Sequence, residues 1–144
     1  MPRMSPEQLE EYLRLPHVAV ISVSRPGRGP IAAPVWYDYP NGAIRLITSR
    51  NSVHGKAMDS LGWATLTVRS EVYGDEHNLE QYANVEGPIS FVAGDLRAAA
   101  TEIRSRYYAG PNAQAWIDAP VIVTQEIAIL RPERKAGFYW ETSI

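Results

Sequence analysis

Most hydrophobic residues of the chain fall in short, strand-length runs that are separated by turn residues. Apolar and β-branched residues dominate these runs, as is typical of strands in mainly β proteins. We predict strands over residues 17–24, 30–39, 43–48, 63–69, 81–93 and 121–130, and a last strand or extended tail over 135–140. Pro34 interrupts the second run, and because proline cannot donate to a ladder, that strand should lie at an edge or carry a bulge.

Helical patterns lie before, between and after these strands. We predict helices over residues 5–15, 53–61 and 95–108, and a further helical turn over 113–118. Ser5 and Gln8 have the spacing of a capping box at the start of the first helix. Ser52 can cap the second helix, which Gly62 can end. Asn41-Gly42 predicts a hairpin turn between the second and third strands.

The order of the elements favours a mainly β fold over a doubly wound α/β fold. A helix comes first, hairpins follow, and one short helix leads to further strands, so strands and helices do not alternate regularly. We predict a mainly β protein with flanking helices, built as a six- to seven-stranded antiparallel split β-barrel. No repeat or linker interrupts the sequence, so residues 1–144 should form a single domain.

Composition limits the classes of function and the cellular location. The chain has no cysteine, which excludes disulfides and thiolate metal sites and fits a cytoplasmic location. Its three histidines, His17, His54 and His77, are too scattered to predict a metal triad. A net charge of −2 argues against a nucleic-acid-binding protein. No apolar run reaches the ~20 residues of a membrane helix, and the charged N-terminus does not resemble a secretory signal.

A basic stretch follows the third strand of this acidic protein. Arg45, Arg50, His54 and Lys56 lie within twelve residues that contain no acid. One interpretation is a solvated, capped helix. The other is an anion site, since hydroxyl groups, unpaired N–H groups and cations converge where a helix begins. Basic residues oppose the helix dipole there, and a bound anion would offset that unfavourable interaction. We therefore favour the anion site.

Aromatic residues mark the second predicted strand. Trp36, Tyr37 and Tyr39 lie in one extended segment, so Trp36 and Tyr37 should point to opposite faces. Core packing is the commoner reason for such residues. The alternative is that a flat cofactor ring lies against this strand.

In order and spacing, these motifs resemble the pyridoxamine 5'-phosphate oxidase-like, FMN-binding split-barrel family. The resemblance covers nearly the whole chain and includes the segments PVWYDY, SVHGKAM, YANVEGP and LRPER. It implies FMN as the cofactor, with the deazaflavin coenzyme F-420 as the alternative. It also implies a homodimer with two cofactor sites at the subunit interface, where Trp140 could reach the partner's site.

The same resemblance implies a set of site residues. Thr48, Ser52 and Lys56 match the family's phosphate-binding frame, with Lys56 in place of the final arginine, and His54 stands where the family usually has lysine. The implied residues contact the cofactor ring, hold its phosphate and close the site from a neighbouring strand. In that order they are Pro34, Val35, Trp36, Thr48, Ser52, His54, Lys56, Gln81 and Tyr82. Arg45, Arg50 and Arg69 are candidates for a longer, anionic deazaflavin tail.

Three functions remain open on the sequence. The first is a flavin- or deazaflavin-dependent oxidoreductase that transfers hydride between its cofactor and a small conjugated or heteroaromatic substrate. The second is a non-catalytic flavin-binding or flavin-sequestering protein. The third is a haem-binding split barrel, for which His17 and His77 offer no clear ligand. Tyr37, Tyr82 and His54 are candidates for a general acid, and the catalytic residues and the substrate stay unassigned.

Overall fold

The computed structural model of the protein describes residues 2–70 and 79–141, without the side chains of Leu79, Trp140 and Glu141. The helices of the described chain are α1 (Pro6–Arg14), α2 (Val53–Leu61), α3 (Leu96–Tyr107) and α4 (Ala113–Ile117). Its strands are β1 (Ala19–Arg25), β2 (Arg28–Val35), β3 (Ile44–Ser49), β4 (Trp63–Arg69), β5 (Leu79–Val92), β6 (Gln125–Leu130) and β7 (Arg134–Glu141). None of the described helices is long and apolar enough to cross a membrane.

The strands form one open antiparallel sheet. Its order is β2-β1-β4-β5-β6-β3, and β7 pairs with β5 beside this path. The first part of the 14-residue β5 pairs with β4 and β7, and residues 89–92 pair with β6. Because β2 and β3 end the path without pairing with each other, the sheet does not close. The prediction of a mainly antiparallel, seven-stranded split barrel with flanking helices is confirmed.

Strand β5 changes partners at Gly87-Pro88. A Cβ atom at Gly87 would lie 2.0 Å from the carbonyl oxygen of Arg131, so a side chain has no room there. The carbonyl group of Pro88 instead accepts a hydrogen bond from the N–H group of Arg131 at 2.9 Å. The close approach of the β5 backbone to Arg131 therefore requires glycine. It allows one long strand to pair with β4 and β7 in its first part and with β6 in its last part.

The core lies between the inner face of the sheet and α1. Strand β4 shows the alternation most clearly, since its buried and half-buried residues follow a period of two. Leu13 of α1 is fully buried, as are Ile21, Leu46 and Leu66 on three different strands. Each such side chain contributes about 1.5–3 kcal/mol by leaving water.

The segment between β2 and β3 differs from its prediction. The strand predicted over residues 30–39 ends at Val35, and residues 40–42 form a 3-10 turn in which Asn41 has a left-handed φ of 53°. The predicted hairpin is wrong, because only the Asp38–Arg45 bridge joins this segment to β3. Tyr37 is fully buried and donates a hydrogen bond to the carbonyl group of Leu13 at 2.9 Å, which draws the chain off the sheet.

Some of the other helix and strand positions agree with their predictions from local sequence signals, and others differ from them. Ser5 and Gln8 form the predicted capping box, and α2 has its predicted bounds. Pro34 lies on an edge strand, as predicted. Strand β6 begins only at Gln125, four residues later than the apolar run suggests. Residues 71–78, which include His77, lie outside the described residues.

Candidate functional site

A cleft of about 480 Å³ opens between the two unpaired edges of the sheet. Strands β2 and β3 supply two of its walls, and α3 and the first turn of α2 supply the others. Throughout, "the cleft" means the space lined by Val18, Pro34, Val35, Trp36, Ile47, Thr48, His54, Ala100, Ile103, Arg104 and Gln125. It is lined mostly by apolar groups, with a few polar side chains among them, as is typical of a small-molecule site.

A tight turn joins β3 to α2 at one end of the cleft. The hydroxyl group of Ser52 donates to the carbonyl oxygen of Ser49 at 2.7 Å and accepts from the N–H group of Gly55 at 3.0 Å. A Cβ atom at Gly55 would lie only 2.0 Å from that carbonyl oxygen of Ser49. The start of α2 therefore packs directly against the end of β3, which places Thr48 and His54 side by side.

Thr48 and His54 share a hydrogen bond within the cleft. Thr48 Oγ1 and His54 Nε2 are 2.6 Å apart. Burial lowers the pKa of His54 below its ordinary value, so in the unliganded protein the imidazole is neutral near pH 7. In the described chain, the N–H groups of Val53 and His54 have no hydrogen-bond acceptor. This end of the cleft thus presents a hydroxyl group, an imidazole and free N–H groups at a helix N-terminus.

Ser52 and Lys56 stand next to this end without lining the cleft. Ser52 Oγ is 3.5 Å from His54 Nε2 but is already engaged in the turn and the helix cap. Lys56 is exposed and forms no ion pair with any described residue. Ser52 therefore shapes the helix N-terminus, while the ammonium group of Lys56 is available to a ligand.

Trp36 lines the other side of the cleft, and together with Tyr107 and Tyr108, which pack against it, forms an aromatic wall. Trp36 is 38% exposed and stacks on Tyr107, with ring centroids 4.7 Å apart and planes inclined by 2°. Tyr108 packs edge-on against Trp36 at 5.0 Å. Tyr37 is fully buried, so the prediction that Trp36 and Tyr37 face opposite sides is confirmed. The hydroxyl group of Tyr107 donates to the carbonyl group of His17 at 2.8 Å, which fixes the wall.

Gln81 and Tyr82 do not line the cleft of the single chain. Both lie near the start of β5, where Tyr82 pairs with Arg69 and stacks on Phe138 at 5.2 Å. The carbonyl group of Gln81 accepts a hydrogen bond from Tyr12 at 3.0 Å. The structure thus brings five of the nine candidate residues into one cleft: Pro34, Val35, Trp36, Thr48 and His54.

Acidic residues outside the basic stretch, both near to it and distant from it in sequence, neutralise part of it. Arg45 forms a bidentate pair with Asp38 and also bonds Glu102. Arg50 bonds Glu126 at 2.9 Å and Asp59 at 3.1 Å. These partners raise the pKa of both arginines. Of the four basic residues in the stretch, only His54 and Lys56 therefore remain for an anion.

Arg104 and Gln125 line the cleft although no sequence pattern indicates them. Arg104 comes from α3, and Gln125 opens β6 opposite Ser49. Neither belongs to a motif, because the fold alone brings these segments to the open edge of the sheet. Arg104 Nη1 donates to the carbonyl oxygens of Ile117 at 3.2 Å and Ala119 at 2.5 Å.

The histidines offer no metal cluster in the part of the chain that the structure describes. His17 Nε2 is 3.1 Å from the carbonyl oxygen of Tyr12, and its ring packs on the ring of Tyr12. No group of three or more potential ligand residues gathers among the described residues. Of the two histidines that the structure describes, His54 lines the cleft and His17 does not.

Solved structures of cofactor-binding proteins share this fold. An FAD-binding protein from Mesorhizobium loti is 14% identical, with a TM-score of 0.73, and the alignment covers 99% of this chain and 98% of that one. An F420 reductase is 17% identical, with a TM-score of 0.68 and coverages of 91% and 98%. An FAD and haem binding protein from Mycobacterium smegmatis is 17% identical, with a TM-score of 0.71 and coverages of 97% and 75%.

These structural similarities identify the fold of the chain. No protein-family model and no curated protein matches the sequence. At such low identities the structural similarity establishes the fold alone. The chain has the split-barrel fold of flavin- and deazaflavin-binding proteins, so the resemblance found in its sequence is confirmed at the level of fold.

Proposed function

We propose that this protein binds a phosphate-bearing tricyclic cofactor, FMN or alternatively coenzyme F-420, and acts as an oxidoreductase on a small conjugated or heteroaromatic substrate. One observation carries the proposal: a single cleft joins the aromatic wall at Trp36 to the helix N-terminus at His54. Structural neighbours that bind FAD or reduce F420 support a cofactor of this type. We also propose a cytoplasmic location, which the lack of cysteine favours.

The phosphate group would lie at the first turn of α2. The free N–H groups of Val53 and His54, the helix dipole and the Thr48 hydroxyl group are donors of the kind that hold phosphate. Lys56 would add a cation from the solvent side, and Ser52 would keep the turn in place. The donor chemistry therefore fits the phosphate of either cofactor.

The ring system would lie along β2 and Trp36. Among the described strands β2 pairs only with β1, so backbone groups on its outer edge could meet the polar edge of a tricyclic ring. Pro34, Val35 and Trp36 supply apolar surface there. When bound, the cofactor supplies the hydride chemistry, and the chain's own residues bind it, orient it and exclude water.

A non-catalytic flavin-binding or flavin-sequestering role is the second candidate. Tyr37 is fully buried, its hydroxyl group is bonded to Leu13 and burial raises its pKa, so it cannot serve as an acid in the cleft. Tyr82 lies away from the cleft. Of the three candidate acids, His54 is therefore the one that lies in the cleft. The small number of candidate acids there favours a role in cofactor binding over a role in proton transfer.

The absorbance spectrum of the purified protein tests the proposed function. A flavin or deazaflavin band that stays with the protein through gel filtration would support it. A haem band alone, or failure of the cofactor-free protein to bind any flavin or deazaflavin, would refute it. Turnover of a quinone or nitroaromatic acceptor by the loaded protein, faster than by free cofactor, would separate the enzyme from the storage protein.

Lys56→Ala should lower FMN affinity about tenfold while leaving stability within about 0.5 kcal/mol of wild type. Lys56 is exposed and makes no ion pair in the described chain, so a partly screened contact with phosphate is all it can lose. Ser52→Ala should also weaken FMN and reduce stability by about 1 kcal/mol, since it removes a helix cap. Calorimetric titration and urea unfolding measure both effects. Unchanged FMN affinity in both variants would remove the phosphate assignment.

FMN affinity should decrease as pH rises from roughly 6 to 9, through the titration of His54. Burial lowers the pKa of His54 in the free protein, and an adjacent phosphate would raise it in the complex. At pH values between these two pKa values, FMN binding is therefore accompanied by uptake of a proton at His54. The FMN affinity that this proton adds is lost as the pH rises through the raised pKa. Titrations across this range should show the decrease in wild type and a flatter curve in His54→Lys, whose charge does not change. Parallel curves would place His54 outside the phosphate site.

We propose that the protein is a homodimer whose interface lies beside the cleft. Val18, Val20 and Trp36 expose apolar side chains there, next to the unpaired edge of β2. Light scattering at micromolar concentration should give twice the chain mass of 16.1 kDa. Val20→Lys should yield monomers, whereas Ser24→Lys, farther along the same strand, should not. A wild-type protein that is only monomeric would contradict the proposal.

A further inference from the structure

Arg104 places a permanent positive charge in the wall of the cleft. Its side chain is half-buried, and none of the residues that line the cleft is acidic. Nη1 is anchored by the carbonyl groups of Ile117 and Ala119, while Nε and Nη2 have no partner among the described residues. The guanidinium group is therefore held in place at one end and keeps donors free at the other.

Acidic residues close to Arg104 or to the cleft already have partners. Asp118, which lies between the two anchoring residues Ile117 and Ala119, accepts a hydrogen bond from Gln114 at 2.9 Å. Glu102, two residues from Arg104, bonds Arg45. Glu126, next to the cleft residue Gln125, bonds Arg50. Neutral carbonyl groups accept the hydrogen bonds of Arg104, and no carboxylate of the described residues forms an ion pair with it. A simple brace for α4 would need only the two bonds from Nη1, so the free donors and the lack of an ion pair with any described residue point to an additional partner.

Arg104 also lies beside the aromatic wall. It precedes Tyr107 by three residues on α3, so the two side chains share a helix face. Tyr107 in turn stacks on Trp36, which lines the cleft. The cleft thus has two places for an anion: the N-terminus of α2, where the proposed phosphate lies, and Arg104 near Trp36.

We propose that Arg104 binds a second oxyanion, a carboxylate or a phosphate, on a ligand that lies against Trp36. This inference rests on the proposed function for the first anion and the ring. The oxyanion has two possible sources, which are the part of a longer cofactor beyond its first phosphate and a carboxylate on the substrate. Arginine suits either one, since its planar fork matches both groups in bidentate geometry.

Two pairs of ligands distinguish the sources. Cofactor-free protein is titrated with FMN and with FAD, which adds a second phosphate. FMN-loaded and cofactor-free protein are both titrated with 4-nitrobenzoate and with its neutral analogue 4-nitrobenzamide. The variants are Arg104→Gln, Arg104→Lys and the matched control Arg97→Gln, which removes the same charge from an exposed position on the same helix.

In Arg104→Gln, we expect the affinity for one of the two ligands FAD and 4-nitrobenzoate to fall about tenfold or more relative to the affinity for its comparison ligand, FMN or 4-nitrobenzamide. A changed ratio of FAD to FMN affinity would assign the oxyanion to the cofactor. A changed ratio of nitrobenzoate to nitrobenzamide affinity would assign it to the substrate. Arg104→Lys should retain part of the effect, and Arg97→Gln should change neither ratio.

Two results would overturn the inference. Both ratios could stay unchanged in Arg104→Gln, or all four ligands could weaken equally, as expected if Arg104 only braces α4. Failure of wild type to bind any flavin would instead refute the proposed function. The nitrobenzoate pair on cofactor-free protein would still test Arg104 in that case.

Discussion

Gly55→Ala should destabilise the protein by about 1–3 kcal/mol and abolish measurable FMN binding. The added Cβ atom would lie 2.0 Å from the carbonyl oxygen of Ser49 and 2.8 Å from Ser52 Oγ. Because the nearer atom belongs to the backbone, the first turn of α2 must move away from the end of β3. That movement separates Thr48 from His54 and redirects the free N–H groups. Urea unfolding and an FMN titration measure the two effects.

Gly29→Ala is the matched control for this substitution. No atom lies within 4 Å of a Cβ at Gly29, and its φ is not left-handed, so stability should stay within about 0.5 kcal/mol of wild type. FMN binding should not change. A Gly55→Ala protein that binds FMN as wild type does would show that the contact of α2 with β3 does not form the site.

His54→Glu should reduce FMN affinity by about 100-fold or more and leave riboflavin affinity nearly unchanged. The substitution removes a donor and places a carboxylate beside the phosphate, and each effect contributes on the order of 1–3 kcal/mol. Riboflavin has the same ring without the phosphate, so it reports any general damage to the cleft. Fluorescence titration of both ligands gives the two affinities.

Asn51→Glu provides the control for added negative charge. Asn51 is exposed in the same turn, and its one hydrogen-bond partner among the described residues is Ser49 Oγ, which accepts from its backbone N–H group. Its FMN affinity should fall no more than a few fold, since exposed charges are screened. Equal losses of FMN and riboflavin in His54→Glu would mean that the variant distorts the cleft and that His54 does not contact a phosphate.

The elements that the sequence predicts well are those with local signals. The bounds of α2 follow from a serine cap and from Gly62, whose φ of 69° suits a helix end. The capping box of α1 involves only residues three apart. Strand β4 has its predicted bounds because its apolar residues alternate along a buried strand.

Features that depend on distant segments could not be predicted in this way. Asn41-Gly42 does form a turn, but β2 and β3 become opposite edges of the sheet and not a hairpin. Arg50 is 76 residues from its partner Glu126, so the basic stretch gave no sign of its neutralisation. Arg104 reaches the cleft only through the packing of α3 against β3 and β6.

The resemblance to a known family predicted part of the candidate site. It proposed Pro34, Val35, Trp36, Thr48 and His54, and all five line one cleft. It also proposed Gln81 and Tyr82, which lie at the start of β5, elsewhere on the sheet of the single chain. Their contact with a cofactor stays a prediction. A sequence motif predicts the geometry of residues that are close together in the chain. It does not predict how far a separate strand lies from those residues.

The most direct measurement is a titration of cofactor-free protein with FMN, riboflavin and coenzyme F-420, followed by fluorescence. We expect saturation at one FMN or F-420 per chain, with affinity at least tenfold higher than for a ring without phosphate, because a charge-assisted phosphate contact contributes about 1.5–3 kcal/mol. Inorganic phosphate should compete with both phosphate-bearing cofactors. No binding of either one, or equal affinity for FMN and riboflavin, would contradict a phosphate site at the N-terminus of α2.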